Sequence, residues 1–257
     1  MKKTITYCLV SIVIVFASCK KDKPASVYMG YDYFPNSIGH WVIYNVDSIS
    51  FNPILAAGSD TFNYQVKDLI DSFYSDNTGA RTQVIIRYKR TNPSASWVYQ
   101  KTYTANLYPS EATRTEDGVK YVKLAFPVIV NSTWNGGAYS ALPATYFQWN
   151  DASFTYTSVN SPLSLNGVYF DSSLTVMQDN ENSLEYHRLY TEQYAVGVGR
   201  IYKQITEIDA NGVFIGFDSN YGEDSLLVKS DYNILVKGGR LAQGSTLYSE
   251  TYIASGN

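Results

Sequence analysis

Histidine and cysteine are scarce in this chain, and their scarcity removes most familiar catalytic chemistry. The two histidines, His40 and His187, stand far apart, and neither His-x-Glu nor His-x-x-x-His spacing occurs, so the sequence offers no basis for a zinc site. The two cysteines are Cys8 and Cys19, and Cys8 lies inside a short apolar run near the start. Removal of that run would leave Cys19 alone, with no disulfide possible within the chain, and the fold would rest on packing. The run itself, Tyr7 to Phe16, falls short of the roughly 20 apolar residues a membrane span needs. No stretch longer than two turns carries a 3.6-residue period with caps, which argues against helix. A basic stripe is missing too. Lys plus Arg number 20 against 23 Asp plus Glu, a net charge of −3, and nucleic acid is a poor partner for such a chain.

What is present points to sheet. Apolar residues make up 45% of the chain, enough for a core, and tyrosine is abundant at 24 residues beside 11 phenylalanines and 4 tryptophans. Phe62, Tyr64 and Val66 alternate with Asn63, Gln65 and Lys67, a half-buried strand. After a turn at Ser75–Gly79, Val84, Ile86 and Tyr88 alternate with Gln83, Arg87 and Lys89 on the way back. Strands are also expected at Trp41–Ile49, Trp97–Leu107, Val119–Phe126, Tyr146–Trp149, Phe154–Val159 and Thr246–Ile253. A loop pinned by Trp134 is expected between Asn131 and Pro143. Asn166-Gly167 is a type I′ hairpin signal, and Asn211-Gly212 and Gly238-Gly239 mark further turns about an alternating run from Leu226 to Val236. The strand through Met177 is expected to break at Gln178–Asn182, and Gly197 and Gly199 to mark a bend or bulge. With no linker signal and no repeat, the expectation is all-β: a single antiparallel β-domain, whether curved sheet, half-barrel or sandwich.

The first stretch carries an address. Lys2 and Lys3 precede the apolar run, and Ala17 and Ser18 close it directly before Cys19, a secretory signal layout. Val-Phe-Ala-Ser-Cys resembles a bacterial lipobox, which implies that Cys19 becomes the lipidated first residue of the mature protein. Removing the signal would take Lys2 and Lys3 but no acid, leaving 18 basic against 23 acidic residues, a net −5. Lys20-Lys21-Asp22-Lys23 resembles part of the lysine-then-acid signal that sends Bacteroidota lipoproteins to the cell surface; Pro24, Ala25 and Ser26 equally suit a plain solvated tether. The expected division is 1–18 signal peptide, 19–30 lipidated cysteine and flexible tether, 31–257 antiparallel β-domain. The expected location is the outer membrane, on its periplasmic face or the cell surface, with the lipid anchor as the link to the membrane.

Two further stretches resemble a broad group of uncharacterised Bacteroidota lipoproteins. One is Tyr33-Phe34-Pro35-x-x-x-Gly39-x-Trp41-Val42-x-Tyr44, similar to the opening strand of that group. The other is Tyr194-Ala195-x-Gly197-Val198-Gly199-x-Ile201-Tyr202-Lys203, similar to a late strand. The resemblance implies a curved antiparallel sheet, loosely like LolA and lipocalin-type carriers, and implies no activity. The matching residues are structural in type: Gly39 would let the chain bend before Trp41 enters the core, and the later glycines would relieve crowding at a barrel corner.

Candidate chemistry is thin. His40 reads as a strand-end cap and His187 as a mid-strand residue, and Ser48 and Ser140 lack a nucleophile-elbow context. Glu185, Glu192 and Glu207 could serve a carboxylate-dependent glycan hydrolase, which needs two facing acids, but they read more simply as surface charge alternating with core. Asp218, Asn220 and Asp224 have oxygen ligands at alternate positions, as in a calcium loop. Gly222 replaces the third ligand and Lys229 stands where the twelfth should be, so the stretch fits a turn better. No cofactor is expected. The expected role is a non-catalytic binding domain for a small apolar ligand, a glycan or an envelope partner protein; the alternatives are the glycan hydrolase and a purely structural envelope component.

Overall fold

The structure, a computed structural model, describes residues 27–51, 59–140, 153–182, 186–209 and 246–257. After a short 3₁₀ turn, η1 (Tyr31–Tyr33), come β1 (Trp41–Phe51), β2 (Ser59–Ser75), β3 (Arg81–Arg90), β4 (Val98–Leu107), β5 (Glu111–Glu116) and β6 (Val119–Ala125). They are followed by β7 (Thr133–Asn135), β8 (Ser153–Leu165), β9 (Val168–Asn182), β10 (Tyr186–Ala195), β11 (Gly199–Asp209) and β12 (Thr246–Gly256). The described residues contain no α-helix. All twelve strands form one antiparallel sheet in the order β6-β5-β4-β3-β2-β1-β12-β11-β10-β9-β8-β7. Apart from β6 and β7, the two edges, each strand pairs with its neighbours in the chain, and the first and last meet mid-sheet, from Trp41 opposite Gly256 to Ser50 opposite Thr246. The sheet curls into a nearly closed barrel. Full closure is how an antiparallel sheet protects its edges.

The two edges, β6 and β7, approach each other across a seam. The Val122 amide donates to the Gly136 carbonyl at 2.9 Å, and Trp134 Nε1 donates to the Val122 carbonyl at 2.9 Å. The Tyr156 hydroxyl donates to the Ala125 carbonyl at 2.9 Å and accepts from the Ala125 amide at 3.0 Å. Gly136 is required there, because a Cβ would sit 2.3 Å from the Phe154 ring. Against the seam packs an apolar cluster that includes Tyr33, Leu124, Phe154, Tyr156, Leu174 and Val176. One end of the barrel is covered by residues 29–40. The Met29 carbonyl accepts from the Val128 amide at 3.1 Å, and Gln83 Nε2 donates to the Pro35 carbonyl at 3.1 Å.

Most expected strands are present, and Asn166 and Gly167 both take positive φ, 49° and 77°, as a type I′ turn requires. Several expectations are corrected. β5 was hidden because Tyr108–Ser110 turns the chain without a Gly or Asn-Gly signal. The loop around Trp134 holds the short strand β7. β9 runs on through Gln178–Asn182, since these polar residues pair with β10 instead of ending the ladder. Residues Val196–Val198 form the turn between β10 and β11, so Gly197 (φ 73°) reverses the chain; the bulge lies next to it, at Gln193/Tyr194. Trp41 is only half-buried, its indole lying against Gly256. Tyr33 and Phe34 belong to η1 and its C-terminal cap and are buried. Expectations for Cys19, the tether to Ser26, Tyr146–Trp149, Glu185, Asn211-Gly212, Leu226–Val236, Gly238-Gly239 and the Asp218, Asn220, Asp224 cluster lie outside the described residues.

Candidate functional site

Strand register places opposite charges directly across from one another on one face of the sheet. Asp68 lies opposite Arg87 on β2 and β3, Glu192 opposite Lys203 on β10 and β11, and Lys203 opposite Glu250 on β11 and β12. Closure turns this face inward and joins the pairs. Arg87 grips Asp68 with two donors, at 2.6 and 2.8 Å, and reaches Glu250 at 2.5 Å. Arg114 meets Asp68 at 2.8 Å and Glu116 at 3.0 Å. Lys123 lies 3.0 Å from Glu192, Arg200 lies 3.2 Å from Glu192 and also pairs with Glu250, and Lys203 lies 3.3 Å from Glu116. Five cations (Arg87, Arg114, Lys123, Arg200, Lys203) thus meet four anions (Asp68, Glu116, Glu192, Glu250) inside the barrel.

Tyrosines complete the network. Tyr194 donates to Glu192 and Tyr248 to Glu250, each at 2.6 Å, and Tyr44 donates to the Arg200 carbonyl at 2.8 Å. The electrostatics follow from competition between burial and partners. Burial alone would raise the Glu192 carboxyl, but Lys123 and then Arg200 outweigh it and hold it at about 2. Glu250 is lowered in the same way, its burial overcome by Arg200 and Arg87, and Glu116 by Lys123 and Lys203. For Lys123 burial prevails over Glu116 and Glu192, and its ammonium lies below the ordinary lysine value. Carboxylates held this acidic do not donate protons at neutral pH, so none of the four suits a general acid.

Glu192 was expected at the surface and is fully buried; this is a correction with a specific cause. In Tyr190-x-Glu192-x-Tyr194 and Tyr248-x-Glu250-x-Tyr252 the acid shares its face with two aromatics. An acid in the aromatic phase of a strand is the signal that would have found the network. The same applies to Arg87, which shares a face with buried Ile85 while Val84 and Ile86 are half-buried, the reverse of the face expected for β3.

Beside the network lies a small cavity of about 70 Å³, walled by Arg114, Lys123 and Arg200 and by the apolar side chains of Val42, Ile70 and Ile85. A larger groove, about 560 Å³, lies between the tip of the β8–β9 hairpin and the neighbouring strands. Thr191, Gln193, Gln204, Thr206, Ser249 and Thr251 line it, and they alternate in sequence with the ion-bearing Glu192, Lys203 and Glu250, so they belong to the opposite face of the sheet. Leu163, Met177 and Tyr202 add apolar surface, and Asp47 is its only charged side chain among the described residues.

Elsewhere, Glu207 is exposed and accepts from the Tyr190 hydroxyl at 3.0 Å. Asp179, opposite Tyr190, has its carboxyl raised by burial, which Arg188 opposes incompletely and Glu181 reinforces. His40 bonds the Val198 carbonyl and Asn257 Oδ1, both at 2.9 Å, tying the start of β1 to the β10–β11 turn and the chain end. His187 is buried on β10. Among the described residues no three His, Cys, Asp or Glu side chains are placed to hold a metal ion, and no helix is long and apolar enough to cross a membrane, which says nothing of strands. No family model, curated protein or solved structure matches the chain.

Proposed function

We propose that this chain is a membrane-anchored binding module that holds a neutral glycan in the groove beside the β8–β9 hairpin. The observation that carries the proposal is the lining of that groove: hydroxyls and amides with one acid and no cation, interspersed with apolar side chains. Its volume is within the roughly 300–1,000 Å³ usual for small-ligand sites. Threonine, serine and glutamine both donate and accept, which matches the hydroxyls of a sugar, while Tyr202, Leu163 and Met177 suit its C–H faces. A fatty chain would leave these polar groups dry and unpaired, at a cost of about 1–3 kcal/mol each. An anionic ligand would meet Asp47 and no compensating cation. Among the described residues the barrel interior holds the ion network and an apolar cluster, and the cavity beside the network, about 70 Å³, is small for a fatty chain. The lipobox-like stretch ending at Cys19 supports an outer-membrane lipoprotein, with the barrel held at the membrane by its acylated cysteine.

The test is calorimetric titration of the full chain in detergent with neutral oligosaccharides, uronate-bearing oligosaccharides and fatty acids. Neutral glycans are expected to bind, uronates at least about tenfold more weakly, and fatty acids not at all. Ser249→Trp fills the groove and is expected to abolish binding. Fatty-acid binding without glycan binding would overturn the proposal.

A second reading, a carboxylate-dependent glycan hydrolase, has one observation in its favour. The raised Asp179 carboxyl and the Glu207 carboxylate flank Tyr190, as a proton donor and a partner acid would. Product release from a bound glycan, lost in Asp179→Asn, would establish it; an uncleaved ligand leaves the binding module.

A further inference from the structure

The ion network does not balance its own charge, and that imbalance sits beside an empty space. Five cations face four anions, Arg87, Lys123, Arg200, Asp68, Glu192 and Glu250 buried and Arg114, Lys203 and Glu116 half-buried, and three of the five cations, Arg114, Lys123 and Arg200, line the 70 Å³ cavity, where Asp68 is the one acid. Arg200 Nε is buried and finds no hydrogen-bond acceptor in the protein. Arg114 Nε is likewise without a hydrogen bond, its 3.0 Å approach to Glu116 lacking the angle for one. Unpaired buried charge is costly, and a buried donor without an acceptor adds to that cost. Closure therefore brings together an excess positive charge, unfilled donors and a void.

We infer that this cavity is a binding site for a small carboxylate, of the size of formate or acetate, held by Arg114, Lys123 and Arg200. One negative charge brings five cations and four anions to neutrality. Carboxylate oxygens accept from guanidinium and ammonium donors at close range, the strongest class of hydrogen bond available here. The remaining wall decides between anions. Val42, Ile70 and Ile85 are apolar, so a sulfate or phosphate would turn unpaired oxygens against them, whereas a carboxylate offers a hydrogen or methyl. Size sets the upper limit. A dry cavity of roughly 150 Å³ accepts benzene, so 70 Å³ suits about three or four heavy atoms. Phe34 and Pro35 of the covering segment, Val198 of the β10–β11 turn, Gly199 at the start of β11 and His40 also line it. The site is separate from the groove and stands or falls independently of the glycan proposal.

The test is carbon-13 NMR of labelled acetate titrated with the full chain in detergent, with thermal melts in acetate, formate and chloride at equal ionic strength. The expected result is saturable binding of one acetate per chain in the millimolar range, a melting temperature raised by acetate and formate, and no displacement by equimolar chloride. Lys123→Met leaves four cations facing four anions and is expected to weaken acetate binding at least about tenfold. Should that variant fail to fold, the wild-type titration alone decides. No saturable binding by about 50 mM acetate overturns the proposal, as does equal competition by chloride.

Discussion

Lys123 Nζ lies 3.0 Å from Glu192 Oε1, although β6 and β10 are separated by seven strands in one direction of the sheet and by β7, β8 and β9 in the other. Only a sheet curled back on itself brings these two residues together, so the pair reports closure directly. Glu192 is fully buried and also accepts from Arg200 and Tyr194. Glu192→Gln would leave Lys123 and Arg200 inside the barrel with weaker partners. The expected loss is about 3–5 kcal/mol in denaturant unfolding, the usual penalty for breaking a buried ion pair from one side. The double variant Lys123→Met with Glu192→Leu removes both charges and is expected to recover part of that loss. A single variant as stable as the parent would mean the network is slack.

The same network makes stability depend on acid. Glu192, Glu250, Glu116 and Asp68 all have folded-state carboxyls below their ordinary values, through Lys123, Arg200, Arg87 and Arg114. A depressed carboxyl stabilises the fold above its unfolded pKa, and that contribution is lost as pH falls through the folded one. For Glu192 the window runs from 4.5 down to about 2. Melting temperature is therefore expected to hold steady from pH 7 to about 5 and to drop steeply below. A flat profile down to pH 3 would contradict the ion geometry.

The sequence revealed the strands more readily than what they enclose. Asn166-Gly167 marked its hairpin because type I′ geometry demands positive φ at two successive residues, which few pairs tolerate. The phase of each strand was harder. Val84, Ile86 and Tyr88 look like the inward row of β3, yet Ile85 and Arg87 are the buried ones. Period two identifies a strand but leaves open which row faces in when both rows carry apolar residues. Charges then default to the outside, and the whole network disappears from view. The two Tyr-x-Glu-x-Tyr triplets were the available clue, since an acid between aromatics on one face is surrounded by groups that exclude water. The groove was not legible at all: its lining comes from six strands and a hairpin tip, and small polar residues on strands look alike wherever they face.

Tyr156 tests the seam. Its hydroxyl both donates to and accepts from Ala125, satisfying two backbone groups at the end of β6, an edge strand. Tyr156→Phe keeps the ring in the apolar cluster and deletes both bonds. The expected cost is about 1–3 kcal/mol, from backbone groups left without partners in a partly buried place. Hydrogen exchange supplies the sharper readout. The Ala125 and Val122 amides should lose protection in the variant, while β1 and β12, paired mid-sheet, keep theirs. Uniform loss across all strands would mean that Tyr156 supports the whole fold and not the seam in particular.

The anchor is tested at Cys19. On the proposed lipoprotein reading that thiol would be the acyl acceptor, and each buried CH₂ of an acyl chain adds about 0.8 kcal/mol of membrane affinity. On the same reading Cys8 lies inside an apolar segment that would leave with the signal, so it should contribute nothing. Cys19→Ser is therefore expected to move the protein from the membrane fraction to the soluble fraction, whereas Cys8→Ser leaves it with the membrane. Mass spectrometry of the parent should place the acyl chains on an amino-terminal peptide beginning at Cys19. Release by both substitutions, or by neither, would remove the lipid anchor from the proposal. Membrane association that survived Cys19→Ser would point to the barrel surface, where exposed Val98, Tyr99 and Tyr169 would be the first residues to substitute.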